Sequence, residues 1–180
     1  MSQTYTGSDV LAAIASASAQ LSERKEEINR LNVFPVPDGD TGTNMSLTLK
    51  SVVDNIAKLP ANAGVAEVRR AITTGALMGA RGNSGVITSQ ILRGLCEGCA
   101  EADEVSTATI DAAFARAVEV AFQAVRKPVE GTILTVVKDM AAAAKHARKK
   151  KLSVDEALEA VAMTEYAQAD PTELSGGQKQ

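Results

Sequence analysis

Apolar side chains recur along this chain with a helical period almost from end to end. In 43–58 the set Met45, Leu49, Val52, Val53 and Ile56 follows the i, i+4, i+7, i+8 rule of a helix with one buried face. In 107–126 Ile110, Phe114, Val118, Ala121 and Val125 repeat it, and Ile133, Leu134, Val137, Met140, Ala141 and Ala144 mark a further helix. Ser153-Val154-Asp155-Glu156 reads as a capping box opening a helix toward Gln168. The pattern predicts helices near 8–30, 43–58, 65–79, 84–101, 107–126, 131–148 and 153–168. Their short connections favour antiparallel neighbours in an up-and-down bundle. No strand pattern, internal repeat or low-complexity linker interrupts it, so the expectation is one all-α domain spanning 1–180.

Composition supports that picture. Hydrophobic residues make up 45% of 180 residues, enough for a sizeable core, while aromatics are 3% and Trp is absent. The core must therefore be built from Ala, Val, Leu and Ile, and Ala loses no side-chain entropy on entering a helix. A net charge of −3 argues against a general nucleic-acid binder. The one basic run, Lys145-His146-Ala147-Arg148-Lys149-Lys150-Lys151, reads first as a solvated helix end and second as a docking surface. Cys96 and Cys99 form a C-x-x-C on a predicted helix without a preceding strand or enough partners for zinc, so they read as ordinary free thiols. Met1-Ser2-Gln3-Thr4-Tyr5-Thr6 has no secretory character and no window is apolar enough to span a membrane, which makes a cytoplasmic location the default expectation.

Three interruptions, 32–42, 79–85 and 130–132, each precede a predicted helix, where free N–H groups and the dipole favour an anion. The first lies in Leu31-Asn32-Val33-Phe34-Pro35-Val36-Pro37-Asp38-Gly39-Asp40-Thr41-Gly42-Thr43-Asn44-Met45. An irregular segment can aim Asp38 and Asp40 at one point, and hard oxygen ligands favour Mg²⁺ or Ca²⁺. The following helix start, with Gly42 and the side chains of Thr41, Thr43 and Asn44, is placed to receive phosphate oxygens. An EF-hand fails here, since Thr41 follows Asp40 and no closing Glu is present; a plain Asp-Gly turn is the simpler competitor. In the second interruption Gly79, Gly82 and Gly85 allow close backbone approach, and Ser84 offers a hydroxyl. It is not a Walker A loop. Arg81 supplies the kind of cation that phosphoryl transfer uses, or pairs with a surface carboxylate. The third, Pro128-Val129-Glu130-Gly131-Thr132-Ile133, reads alone as a turn with a cap near Thr132. Leu174-Ser175-Gly176-Gly177-Gln178 matches the signature peptide of ABC transporter ATPases, but the large α/β domain that completes such a site is missing.

Taken together and in this order, the 32–45 string, the Gly-rich 79–86 segment and the 129–136 segment resemble the dihydroxyacetone-kinase L-subunit family. Within it they are most similar to the N-terminal nucleotide domain of bacterial fatty-acid kinases. The resemblance covers nearly the whole chain and implies a barrel of about eight antiparallel helices with ATP or ADP and two Mg²⁺ at one end. It implies metal-binding roles for Asp38 and Asp40, with Asn32 nearest to the family's third aspartate. It assigns phosphate contacts to Asn44 and to the backbone around Asn83 and Ser84, beside Gly82, and places Thr132 and Ile133 close to the base. Thr41 stands where dihydroxyacetone kinases carry His, which points to the fatty-acid branch. That branch implies a fatty-acid-carrying partner protein or acceptor domain, and a homodimer is compatible with it.

Two departures from the family accompany these expectations. Fatty-acid kinases continue into lipid-carrier-binding domains, and the family's Gly-Gly-Gln segment leads into a last helix that this chain is expected to lack. The competing functions are a dihydroxyacetone-type kinase subunit, a non-catalytic ADP-binding regulatory module, and a purely structural bundle.

Overall fold

The computed structural model describes residues 7–60, 62–100 and 105–162. Among them the chain forms seven helices and no strand: α1 (Gly7–Leu31), α2 (Thr41–Ile56), α3 (Val65–Gly79), α4 (Gly82–Gly98), α5 (Thr107–Gln123), α6 (Ile133–Lys150) and α7 (Val154–Val161). Each helix packs on its neighbour in sequence, and α2 also meets α4 and α4 meets α6. The all-α bundle read from the periodicity is the fold observed. The extension of the last helix toward Gln168, the 174–178 peptide and the chain's first six residues lie outside the described residues. No helix among those described is long and apolar enough to cross a membrane.

Small side chains set the spacing of the bundle. One core cluster gathers Val52, Val68, Ile72 and Ala76, with Leu11, Ile14, Leu92 and Cys96 packed around it. A second gathers Ile110, Ala144, Ala147, Ala157 and Val161, with Phe114 and Met140 alongside. They are joined where α4 crosses α5, and there Gly94 and Gly98 lie against the backbone of Ala117, Ala112 and Ala113. Glu97, on the same stretch of α4, receives Arg93 at 2.6 Å and Arg116 of α5 at 2.7 Å. Hydrogen bonds from Arg93 and Arg116 hold its carboxyl below the usual carboxylate range.

Local caps account for the helix boundaries. The Ser153 hydroxyl accepts from the Glu156 N–H at 3.2 Å while Glu156 takes the Ser153 N–H at 2.7 Å, the reciprocal box read from sequence. Ser106 caps α5 by accepting from the Thr109 N–H. The basic run is the last turn of α6, with Arg148 paired to Asp111 at 3.0 Å and Lys151 in the left-handed conformation that closes the helix. Helix α4 begins at Gly82, two residues before the sequence-based start, because the glycines that look like a loop form its first turn.

Candidate functional site

Helix α1 runs into an irregular loop that Asn32 staples at both ends. Its amide group donates to the Val36 carbonyl at 2.8 Å. Its Oδ1 accepts from the Thr41 hydroxyl at 2.7 Å and the Thr41 N–H at 3.3 Å. One turn earlier, Asn29 accepts from the Thr43 N–H at 3.1 Å and donates to the Thr43 hydroxyl at 2.9 Å. Two asparagines at the end of α1 thus serve as caps for the start of α2, satisfying donors that a helix N-terminus otherwise leaves open.

That arrangement spares the acidic residues. Asp40 is the N-cap residue of α2, yet its side chain makes no capping hydrogen bond. Asp38 is exposed and Asp40 half-buried, with Gly39 between them in the left-handed region at φ 63°. Neither carboxylate has a hydrogen bond or ion pair among the described residues. Two free hard-oxygen donors fit magnesium, which typically takes one or two protein carboxylates and completes its shell with phosphate and water. The described residues contain no cluster of three or more acidic, His or Cys ligands, so a dedicated all-protein metal cage is not formed among them. The Asn32 amide, the third candidate, is engaged with Thr41 and Val36.

The Gly-rich segment lies directly beside α2. Asn44 is buried at 8% exposure, and its carboxamide borders Gly82, whose φ of 57° and lack of a Cβ permit the approach. Helix α4 has no side-chain cap at its N-terminus. The Ser84 hydroxyl in its first turn is buried without a hydrogen-bond partner among the described residues. A buried polar group left unpaired calls for an explanation. Here it accompanies an uncapped helix start, where N–H groups and dipole favour an anion. Asn83 is exposed on the same turn.

Arg81, the N-cap residue of α4, is exposed and donates only to the carbonyls of Ala80 at 2.9 Å and Met78 at 3.4 Å. The surface ion pair allowed by the sequence does not form among the described residues. Beside it a cleft of about 240 Å³ opens along α2, lined by Leu47, Lys50, Ser51, Asp54, Met78, Gly79 and Arg81. Asp38, Asp40, Asn44 and Ser84 do not line it, and Arg81 stands between this cleft and the start of α4.

The third segment is locally satisfied. Thr132 caps α6, accepting from the Leu134 N–H at 3.3 Å and donating to the Val129 carbonyl at 2.8 Å. Glu130 reaches Thr135 at 2.8 Å and Lys138 at 2.6 Å. Thr132 and Ile133 stand at the start of an even-numbered helix. In an alternating bundle that end is shared with the starts of α2 and α4.

The structure therefore brings together Asn44, Gly82 and Ser84, with Arg81 and the aspartate loop adjoining. It commits Thr41 and Thr43 to the asparagines of α1. Asn29 was absent from the sequence-based set; its only signal is an Asn three residues before Asn32 at a helix end.

The sequence profile described as the DAK2 domain matches residues 35–175. Uncharacterized proteins of Staphylococcus aureus strains USA300, MRSA252 and N315 are 47% identical over 135 residues, which is 73% of this chain and 24% of each relative. The chain thus spans about a quarter of the length of these relatives.

Proposed function

This chain belongs to the DAK2 domain family, a dihydroxyacetone-kinase-like nucleotide-binding type, and we propose that it is the ATP–magnesium domain of a kinase whose acceptor arrives on a partner protein or domain. The observation that carries this reading is the buried, unpartnered Ser84 hydroxyl at the uncapped start of α4. Nucleotide phosphates would take that hydroxyl, the Asn44 carboxamide and the N–H groups of Gly82 and Asn83. Thr132 and Ile133 would border the base, as the resemblance implies. Asp38 and Asp40 would hold magnesium, which when bound supplies positive charge to neutralise the phosphate oxygens. Gly42, Thr41 and Thr43 shape the start of α2 through their ties to α1.

The acceptor we infer is a fatty-acid carboxylate. A carboxylate is deprotonated at neutral pH and needs no general base. The chain's single histidine, His146, stands far from the site in the last turns of α6. The γ-phosphorus–oxygen bond to ADP breaks as a carboxylate oxygen bonds to phosphorus, giving an acyl phosphate and ADP. The Arg81 guanidinium, which donates to backbone carbonyls and makes no ion pair among the described residues, offers charge to the transferring group. The Thr at position 41, engaged with Asn32, supports this branch over a dihydroxyacetone-type subunit.

Melting temperature with ADP, with MgCl₂ and with both tests the reading. At about 100 times the dissociation constant a ligand stabilises by about 2.7 kcal/mol, a rise of several degrees. The expected rise requires both ligands and vanishes in Asp38→Ala/Asp40→Ala. A wild type that does not respond removes the nucleotide site. A response without turnover of a protein-borne carboxylate would leave a regulatory module.

A further inference from the structure

The clasp between Asn29 and Thr43 is more than a helix cap. We propose that Asn29 is a positioning residue that sets the geometry of the Asp38–Asp40 loop and thereby the affinity of the site for divalent cation. The inference rests on the nucleotide–magnesium reading above.

Asn29 engages Thr43 with both ends of its carboxamide, accepting from the Thr43 N–H at 3.1 Å and donating to the Thr43 hydroxyl at 2.9 Å, with a longer donation to Glu26 at 3.5 Å. This two-point contact fixes the start of α2 in rotation as well as in distance. The same turn of α1 forms the floor of the loop. The Asn29 carbonyl accepts from the Asn32 N–H at 3.2 Å, linking the clasp to the Asn32 staple. It also lies 3.8 Å from where a Cβ on Gly39 would stand, directly under the residue joining the two aspartates. Gly42 rests on the backbone of Lys25 one turn further back. Both loop ends are therefore referred to α1, and Asp40, adjoining the clasped turn, keeps its carboxylate free because asparagines do the capping. Groups that orient metal ligands without touching the ion typically change affinity by about 10–100-fold when removed.

The test compares Asn29→Leu, Asn29→Asp and Thr43→Val in the full chain. The readout is the MgCl₂ concentration giving half of the ADP-dependent thermal shift. Asn29→Leu removes both hydrogen bonds to Thr43 at similar volume, and its midpoint should rise by about tenfold or more. Asn29→Asp still accepts from the N–H and the hydroxyl of Thr43 and adds a negative charge near the cation, so its midpoint should not rise above wild type. Thr43→Val keeps the N–H contact alone and should fall between, covering the case in which Asn29→Leu does not fold. Asn55→Leu is the control, because Asn55 ties α2 to the Ala71 carbonyl at 3.1 Å, away from the site. It should lower the melting temperature without moving the magnesium midpoint. Unchanged midpoints in Asn29→Leu and Thr43→Val, with wild type still responding to ADP and magnesium, would reduce the clasp to a structural cap. A wild type without magnesium-dependent ADP binding would overturn the underlying reading and this inference together.

Discussion

The hydroxyl of Ser84 is out of contact with water and has no hydrogen-bond partner among the described residues, and a buried polar group in that state costs about 1–3 kcal/mol. Ser84→Ala should therefore raise the melting temperature of the ligand-free chain, by about 1 kcal/mol in unfolding free energy. The same change should weaken ADP–magnesium binding, because the phosphate loses a donor. A calorimetric unfolding scan beside a binding titration checks both signs; a stabilised variant with undiminished binding would detach Ser84 from the phosphate. The two thiols behave differently. Burial, with the neighbouring Cys99 adding to it, pushes the Cys96 thiol up to about 11, and burial raises Cys99 as well. At neutral pH both are protonated side chains of the helix packing, as free cysteines in such surroundings generally are.

Between elements, α4 crosses α5 closely enough that glycine is required where they meet. A Cβ on Gly98 would stand 2.6 Å from the Ala112 carbonyl oxygen and 2.5 Å from the Ala113 Cα. Backbone cannot swing aside as a long side chain can. In an exposed helix Gly→Ala stabilises by about 0.8–1 kcal/mol, whereas overpacking against a rigid neighbour costs about 1–3 kcal/mol. The second effect wins here, so Gly98→Ala should lower the denaturant midpoint, while an exposed position such as Ala100 should tolerate change. A Gly98→Ala variant as stable as wild type would mean that α4 and α5 separate at little cost. The Glu97 ion pairs at the same crossing are about a third exposed and contribute little by comparison. Shape, not charge, sets this contact.

At the scale of the molecule, alternation of direction places the starts of α2, α4 and α6 at one end of the bundle. Every functional candidate, from Asp38 to Ile133, lies at one of those starts, while the basic turn 148–150 closes the opposite end of α6. Hydrogen exchange with and without ADP and magnesium should show added protection at 38–45, 82–86 and 132–136. The α6–α7 turn at 151–153 should exchange as before. Protection spread evenly through the chain would report general stabilisation in place of a site at one end. Protection confined to 78–81 would relocate the ligand to the cleft beside Arg81.

Much of this was readable before any coordinates. Helical periodicity determined the number and type of the described elements, because one buried face per helix demands apolar residues at that spacing. The Ser153 capping box was equally legible, since both partners lie within four residues. Asp38 and Asp40 stood out through the whole 31–45 string, since a bare Asp-Gly-Asp reads equally as a turn. Tertiary structure alone decided the rest. That Asn29 and Asn32 cap a helix other than their own depends on how α1 and α2 meet, as does the freedom this leaves to Asp40. That Gly82 of α4 lies against Asn44 of α2 depends on how those two helices meet. Only packing could bury the Ser84 hydroxyl without a partner, because burial is a property of neighbours and not of the residue. Local sequence sets what each segment prefers, and the contacts between segments select which polar groups remain unpaired.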